Sequence, residues 1–205
     1  MTRIVSQNSH LEQTEYKTLG LDALVSRLQG DRKYFILDLG QALGVNVEFW
    51  SRFQCRLYIE DFYRSYSARV ASGPDDPKET ILAELLPFSE EARFDIILAW
   101  DLFNYLNLEE IEALVGRLDR WCRPGTLLFT LLSYLPQIPA EPFVFRILDT
   151  QRMIYETSTR ETRPCPRYQP RDLVRFLARF DVSSCFLLRH GVQEFIFAYR
   201  DDPKR

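Results

Sequence analysis

The stretch Tyr34-Phe35-Ile36-Leu37-Asp38-Leu39-Gly40-Gln41-Ala42-Leu43-Gly44 holds the residue types and spacing best suited to chemistry. An apolar run ends in Asp-Leu-Gly, a second glycine follows four residues later, and Val45 to Phe53 can continue as a helix. A strand that turns sharply into a helix needs small residues at the bend, because the backbone must turn tightly and pack closely. The same bend leaves the free N–H groups of the helix N-terminus facing whatever lies beyond the strand's carboxyl end. That is the geometry of a nucleotide-type pocket. Further acids stand where other apolar runs stop: Glu60 and Asp61 after CRLYI, and Asp101 after FDIILAW. Nucleophilic and metal chemistry find no such support. Cys55, Cys122, Cys165 and Cys185 are scattered without a CxxC pair, and the only histidines are His10 and His190, so reduced thiols and no zinc site are expected.

The elements that must position these residues can be read along the chain. At 205 residues the chain reads as one domain, 1–205, able to bury a core without staples. Residues 1–18 are polar and read as a loose segment or an edge cover. Leu21, Leu24, Val25 and Leu28 give residues 19–29 a helical stripe that Gly30 stops. Strands follow at 33–39 and 55–60, the first apolar at nearly every position, as a central parallel strand should be. Residues 61–93 are hardest to read: 63–70 suits a helix, Pro77 opens another, and 80–86 fits either the end of that helix or a short strand. A strand at 94–100 leads to an amphipathic helix over 108–121, capped by Asn107, with Glu109 and Glu110 in its positive first turn. Pro124-Gly125 breaks it before a buried strand at 126–133. A link rich in Pro and Arg, 134–168, contains 143–148 and 152–157 as a hairpin; a helix at 170–180 and two strand-like runs around His190-Gly191 close the chain. This alternation implies a doubly wound, mostly parallel α/β sheet with helices on both faces and a C-terminal antiparallel hairpin.

In that order the pieces resemble the Rossmann-like (class I) S-adenosylmethionine-dependent methyltransferases, over roughly residues 34–200. The strongest part is FDIILAWDLFNYLNLEEIEALVGRLDRWCRPGTLLFTLL, which is similar to the family's fourth strand, pocket-wall loop, following helix and Arg-Pro-Gly turn into the fifth strand; Leu86-Pro87-Phe88 before it is a further likeness. The resemblance assigns Asp38, Gly40 and Gly44 to the cofactor loop, whose middle glycine is Ala42 here, making the loop degenerate. It places Glu60, or the adjacent Asp61, against the cofactor's ribose hydroxyls, where an acceptor-only carboxylate belongs. Glu84 is the nearest acid to the family's adenine-contacting position, and Asp101 with Leu102 matches the pocket wall. Tyr105 and Tyr134 are candidates for holding an acceptor, and no catalytic base is conspicuous.

Two functions stay open at this stage. One is methyl transfer from S-adenosylmethionine, with S-adenosylhomocysteine as product, to a small-molecule or protein acceptor. The other is a catalytically inactive binding or scaffold module, favoured by Ala42 and the weak adenine position, with a protein partner or a second copy meeting the aromatic surface. A nicotinamide-dependent oxidoreductase fits less well, because its Gly-x-Gly-x-x-Gly fingerprint is replaced by Gly-x-x-x-Gly. A net charge of −3 argues against nucleic acid as a partner. No run approaches the ~20 apolar residues of a membrane span, and the polar start lacks a signal peptide, so a cytoplasmic protein is expected.

Overall fold

The computed structural model describes residues 13–188 and 191–200; His10 and His190 lie outside them. The chain enters as a strand, β1 (Gln13–Lys17), and a helix, α1 (Gly20–Val25), before reaching β2 (Tyr34–Asp38). Loop 39–43 leads into α2 (Gly44–Ser51), then β3 (Cys55–Ile59) and α3 (Phe62–Ser72). Next come α4 (Lys78–Leu85), β4 (Ile96–Trp100), a single 3-10 turn (Leu102–Asn104), α5 (Leu108–Asp119) and β5 (Leu127–Ser133). An insertion carries β6 (Gln137–Pro139), β7 (Val144–Ile147), β8 (Arg152–Glu156) and β9 (Thr162–Pro164). Helix α6 (Pro170–Phe176) and strands β10 (Phe180–Leu187) and β11 (Val192–Tyr199) finish the fold.

The six-stranded main sheet has the order β10-β11-β5-β4-β2-β3. β2 is parallel to β3 and β4, β4 is parallel to β5, and the closing β10–β11 hairpin adds on antiparallel to β5. Side chains alternate across this sheet, so its near-continuous apolar strands feed two cores. Ile36, Ile96, Leu98 and Phe129 face α1, α2 and the insertion. Leu37, Ile97, Leu128 and Leu132 face α3 to α6. The doubly wound sheet and its closing hairpin are therefore as the alternation predicts.

The ambiguous stretch 80–86 is helical as far as Leu85. Ile81 and Leu82 are buried while Glu79 and Glu84 are exposed, and Leu86 is buried again four residues after Leu82; that recurrence is helical. With no strand there, β3 is the edge of the sheet. The insertion contains the expected hairpin, β7–β8, while β6 pairs with β9. Residues 13–17 cover its edge: β1 adds antiparallel to β8, from Gln13 opposite Glu156 to Lys17 opposite Arg152. That small sheet lies against the face bearing Ile36 and Leu98, with Phe145, Ile147 and Met153 joining their core. No helix among the described residues is long and apolar enough to cross a membrane.

Candidate functional site

β2, β3 and β4 end side by side, and their carboxyl ends carry most of the residues singled out above. Asp38 is the last residue of β2 and is buried. Its Oδ1 accepts hydrogen bonds from the Gly40 N–H at 2.9 Å and from the Trp100 indole Nε1–H at 2.6 Å. Burial pushes its carboxyl up to about 6, with the indole and the Gly40 N–H pulling the other way. Asp38 therefore works beneath the loop, holding its first turn, and is withheld from the surface. Gly40 is sterically required: a Cβ there would stand 2.7 Å from Trp100 Cδ1 and 2.8 Å from its Nε1. Gly44 carries no such constraint, since a Cβ there meets nothing within 4 Å. Ala42 is exposed.

Trp100 ends β4 with φ at +48°, a left-handed conformation costly for a bulky residue. A register shift between Leu98 and Trp100 in the β4–β5 pairing, and a hydrogen bond from Thr130 Oγ1 to the Trp100 carbonyl at 2.7 Å, hold it there. Its ring stacks on Phe145 of the insertion, centroids 5.2 Å apart. The strained backbone thus turns the indole across the mouth of β2, between the Asp38 carboxylate and Phe145.

Around this indole lies a cleft of about 440 Å³ lined by Gly40, Gln41, Asp61, Trp100, Asp101 and Leu102, with the insertion as its far wall. Ala42, Gly44, Glu60 and Glu84 do not line it. Asp61 stands at the start of α3 and makes no capping hydrogen bond to that helix. Glu60 is half-buried beside it, its carboxyl raised by burial. Glu84 lies away from the cleft on α4, where its carboxylate accepts from Arg69 at 2.7 Å. The structure thus brings together Gly40, Asp61, Asp101 and Leu102 and leaves Glu84 apart.

Asp101 follows Trp100 and is buried, its Oδ2 accepting from the Phe143 N–H at 3.0 Å. Desolvation raises its carboxyl to about 7, opposed by backbone N–H groups and the nearby Tyr105 hydroxyl. Asp101 also borders a second, larger cavity of about 670 Å³, whose walls include Tyr16, Tyr105, Leu131, Ile138 and Leu188. Phe143 and Phe145 face both spaces, so these two rings and Asp101 form the partition between cleft and cavity. Of the two tyrosines named as acceptor-holding candidates, Tyr105 lines the cavity, whereas Tyr134, at the end of β5, lines neither space. Asn104 is structural: its Nδ2 donates to the Asp101 and Leu131 carbonyls and its Oδ1 accepts from Ser133 N–H, each at 3.0 Å. Sequence reasoning missed Tyr16 and Phe143. The signals were present in the Thr14/Tyr16 alternation and in the aromatic spacing of the insertion, but their partners are remote in sequence.

No protein-family model matches the chain, and no curated protein matches it in sequence. Solved structures do match in fold. An S-adenosylmethionine-dependent methyltransferase from Clostridium acetobutylicum superposes with a TM-score of 0.50 at 11% identity, over 88% of this chain and 90% of that one. A protein from Pyrococcus horikoshii superposes with a TM-score of 0.50 at 12% identity, over 88% of each chain. The fold is that of the class I S-adenosylmethionine-dependent methyltransferases.

Proposed function

We propose that this chain binds S-adenosylmethionine in the cleft at the ends of β2, β3 and β4 and transfers its methyl group to an acceptor, leaving S-adenosylhomocysteine. The supporting observation is convergence: Gly40, Asp61, Asp101 and Leu102, from three strand ends, line one cleft, and open α/β sheets bind ligands at the strands' carboxyl ends. The cleft's groups fit the cofactor. Asp61, free of a capping bond, offers acceptors to paired ribose hydroxyls. Asp61 and Glu141 outnumber Arg64 on the cleft wall, so its charge favours a cation. Leu102 and Phe143 supply apolar surface, and the exposed Ala42 methyl stands off the wall. When bound, the cofactor supplies a methyl group on a sulfonium, and alignment and desolvation fall to the protein. Asp101, ionised above about pH 7, can accept a proton at the partition.

A second reading, a binding module on the same fold, is favoured by Trp100, whose indole packs directly against Gly40 and occupies the Asp38 carboxylate. Calorimetric titration with S-adenosylmethionine and S-adenosylhomocysteine decides between them. Clear binding is expected for the wild type, with Asp61→Ala weakening it roughly tenfold or more, as loss of a hydrogen-bonded carboxylate should. Glu60→Ala should have the smaller effect. Absence of binding at millimolar ligand would defeat the methyl-transfer reading in favour of the second.

A further inference from the structure

The cavity beyond the partition contains an anomaly that the cleft does not explain. Tyr16 and Tyr105 both line it, and both phenolic oxygens are buried without a hydrogen-bond partner. Buried hydroxyls are almost always paired, and leaving one unpaired costs stability, so two on residues that line one cavity call for a common cause. They come from distant places in the chain, Tyr16 from β1 and Tyr105 from the turn after β4. Both nonetheless feel the charge of Asp101, which raises each phenol beyond the effect of burial. Two tyrosines and one carboxyl thus border a space whose walls are mainly apolar, Leu131, Ile138, Phe143, Phe145 and Leu188 among them, with Ser133 and Gln137 as further polar lining.

We infer that this cavity binds a neutral, ring-containing small molecule bearing a hydroxyl and at least one further oxygen, and that this molecule is the methyl acceptor. Each feature follows from the walls. The volume, about 670 Å³, is that of a small-molecule site. Phe143, Phe145 and Tyr155 present ring faces and edges suited to another ring. Tyr16 and Tyr105 each donate a hydrogen bond to a ligand oxygen, and Asp101, an acceptor when ionised, takes one from the ligand's hydroxyl. An anion would be desolvated beside Asp101, which lines the cavity, and is disfavoured. Glu15 and Lys17, of opposite charge, are exposed on the cavity wall and select for neither sign.

The acceptor role rests on the methyl-transfer reading above; the binding site does not. O-methylation requires the ligand's hydroxyl to reach past Asp101, which borders both spaces, into the cleft. The transfer forms the oxygen–carbon bond, breaks the carbon–sulfur bond with its electron pair left on sulfur, and leaves the hydroxyl proton on Asp101.

The test is titration of the full chain with a monohydroxyflavone, without cofactor, followed by the same mixture with S-adenosylmethionine and mass detection of the methyl ether. Saturable binding is expected, weakened about tenfold in Tyr16→Phe and again in Tyr105→Phe. Tyr16→Phe should unfold at or above the wild-type temperature, because it deletes an unpartnered hydroxyl. A carboxylate-bearing analogue should bind at least tenfold more weakly. Affinity unchanged in both tyrosine variants, or equal binding of the anionic analogue, would overturn the site. Flavone binding in a protein that ignores the cofactor would overturn the methyl-transfer reading and with it the acceptor role, leaving the site. Cofactor binding without flavone binding would do the reverse.

Discussion

Asp101 is the residue on which cleft and cavity both depend, and its chemistry has a measurable cost. In the folded chain its carboxyl holds its proton up to about pH 7, whereas its ordinary value is 3.8. Between those values the folded state binds more protons than the unfolded one, so stability falls as pH rises from about 4 to about 7 and is level above. The burden is on the order of 4 kcal/mol once the group is ionised. Asp38, raised to about 6, has the same sign over a narrower window. Asp101→Asn keeps an acceptor for the Phe143 N–H and removes the charge. It should therefore be more stable than the wild type at pH 8 and gain nothing at pH 4. Urea midpoints at the two pH values check this, and a pH-independent difference would assign the raised carboxyl to some other group.

At the scale of elements, α5 anchors the face of the sheet behind the site. Asn107 Oδ1 accepts from the Glu110 N–H at 3.0 Å, and Glu110 Oε2 accepts from the Asn107 N–H at 2.7 Å, satisfying two donors that the helix cannot. Ile111, Leu114 and Leu118 are fully buried below this cap, so the helix start also sets where Leu106 and the 3-10 turn must run. Asn107→Ala should cost about 1 kcal/mol, lowering the melting temperature by roughly 2–4 °C for a chain this size. An unchanged melting temperature would mean that packing alone sets the helix start. The helix and its cap were readable in the sequence because apolar spacing, capping residue and first-turn acids agree. Residues 80–86 were not, because Ile81-Leu82 and Leu85-Leu86 satisfy a short buried strand and a helix equally until burial separates them.

Across the whole molecule, Glu194 ties the entering segment to the closing hairpin. It is fully buried, and its carboxylate accepts from Thr18 Oγ1 at 2.6 Å, Leu19 N–H at 2.9 Å and Gly20 N–H at 2.7 Å. Gly20 packs so close to β5 and β11 that a Cβ would lie 2.7 Å from Phe129 and 3.0 Å from Glu194. β1, and with it Tyr16, hangs from this joint. Glu194→Ala strands three donors and should cost about 3 kcal/mol, expose the Lys17 bond to trypsin and weaken flavone binding together. Glu194→Gln, which retains an acceptor, should lose less on all three counts. Stability lost without change at Lys17 would show that β1 is held by its pairing with β8 instead.

The sequence by itself determined the layered α/β fold. Short apolar runs bounded by turn signals fit strands covered on both faces, and the 3.6-residue stripes between them supply the covers. It also marked Gly40, Glu60 with its neighbour Asp61, and Asp101, because acids and glycines that interrupt such runs lie at strand ends; Leu102 came from the family resemblance. Only the tertiary structure decided that Trp100 locks Asp38 under the loop, that Glu84 belongs to an ion pair, and that Tyr16, Asp101 and Tyr105 share one cavity. Those facts depend on a left-handed residue at a strand end and on pairing between segments as distant as 13–17 and 152–156. Local periodicity records which residues are buried; which buried residues meet is settled by packing.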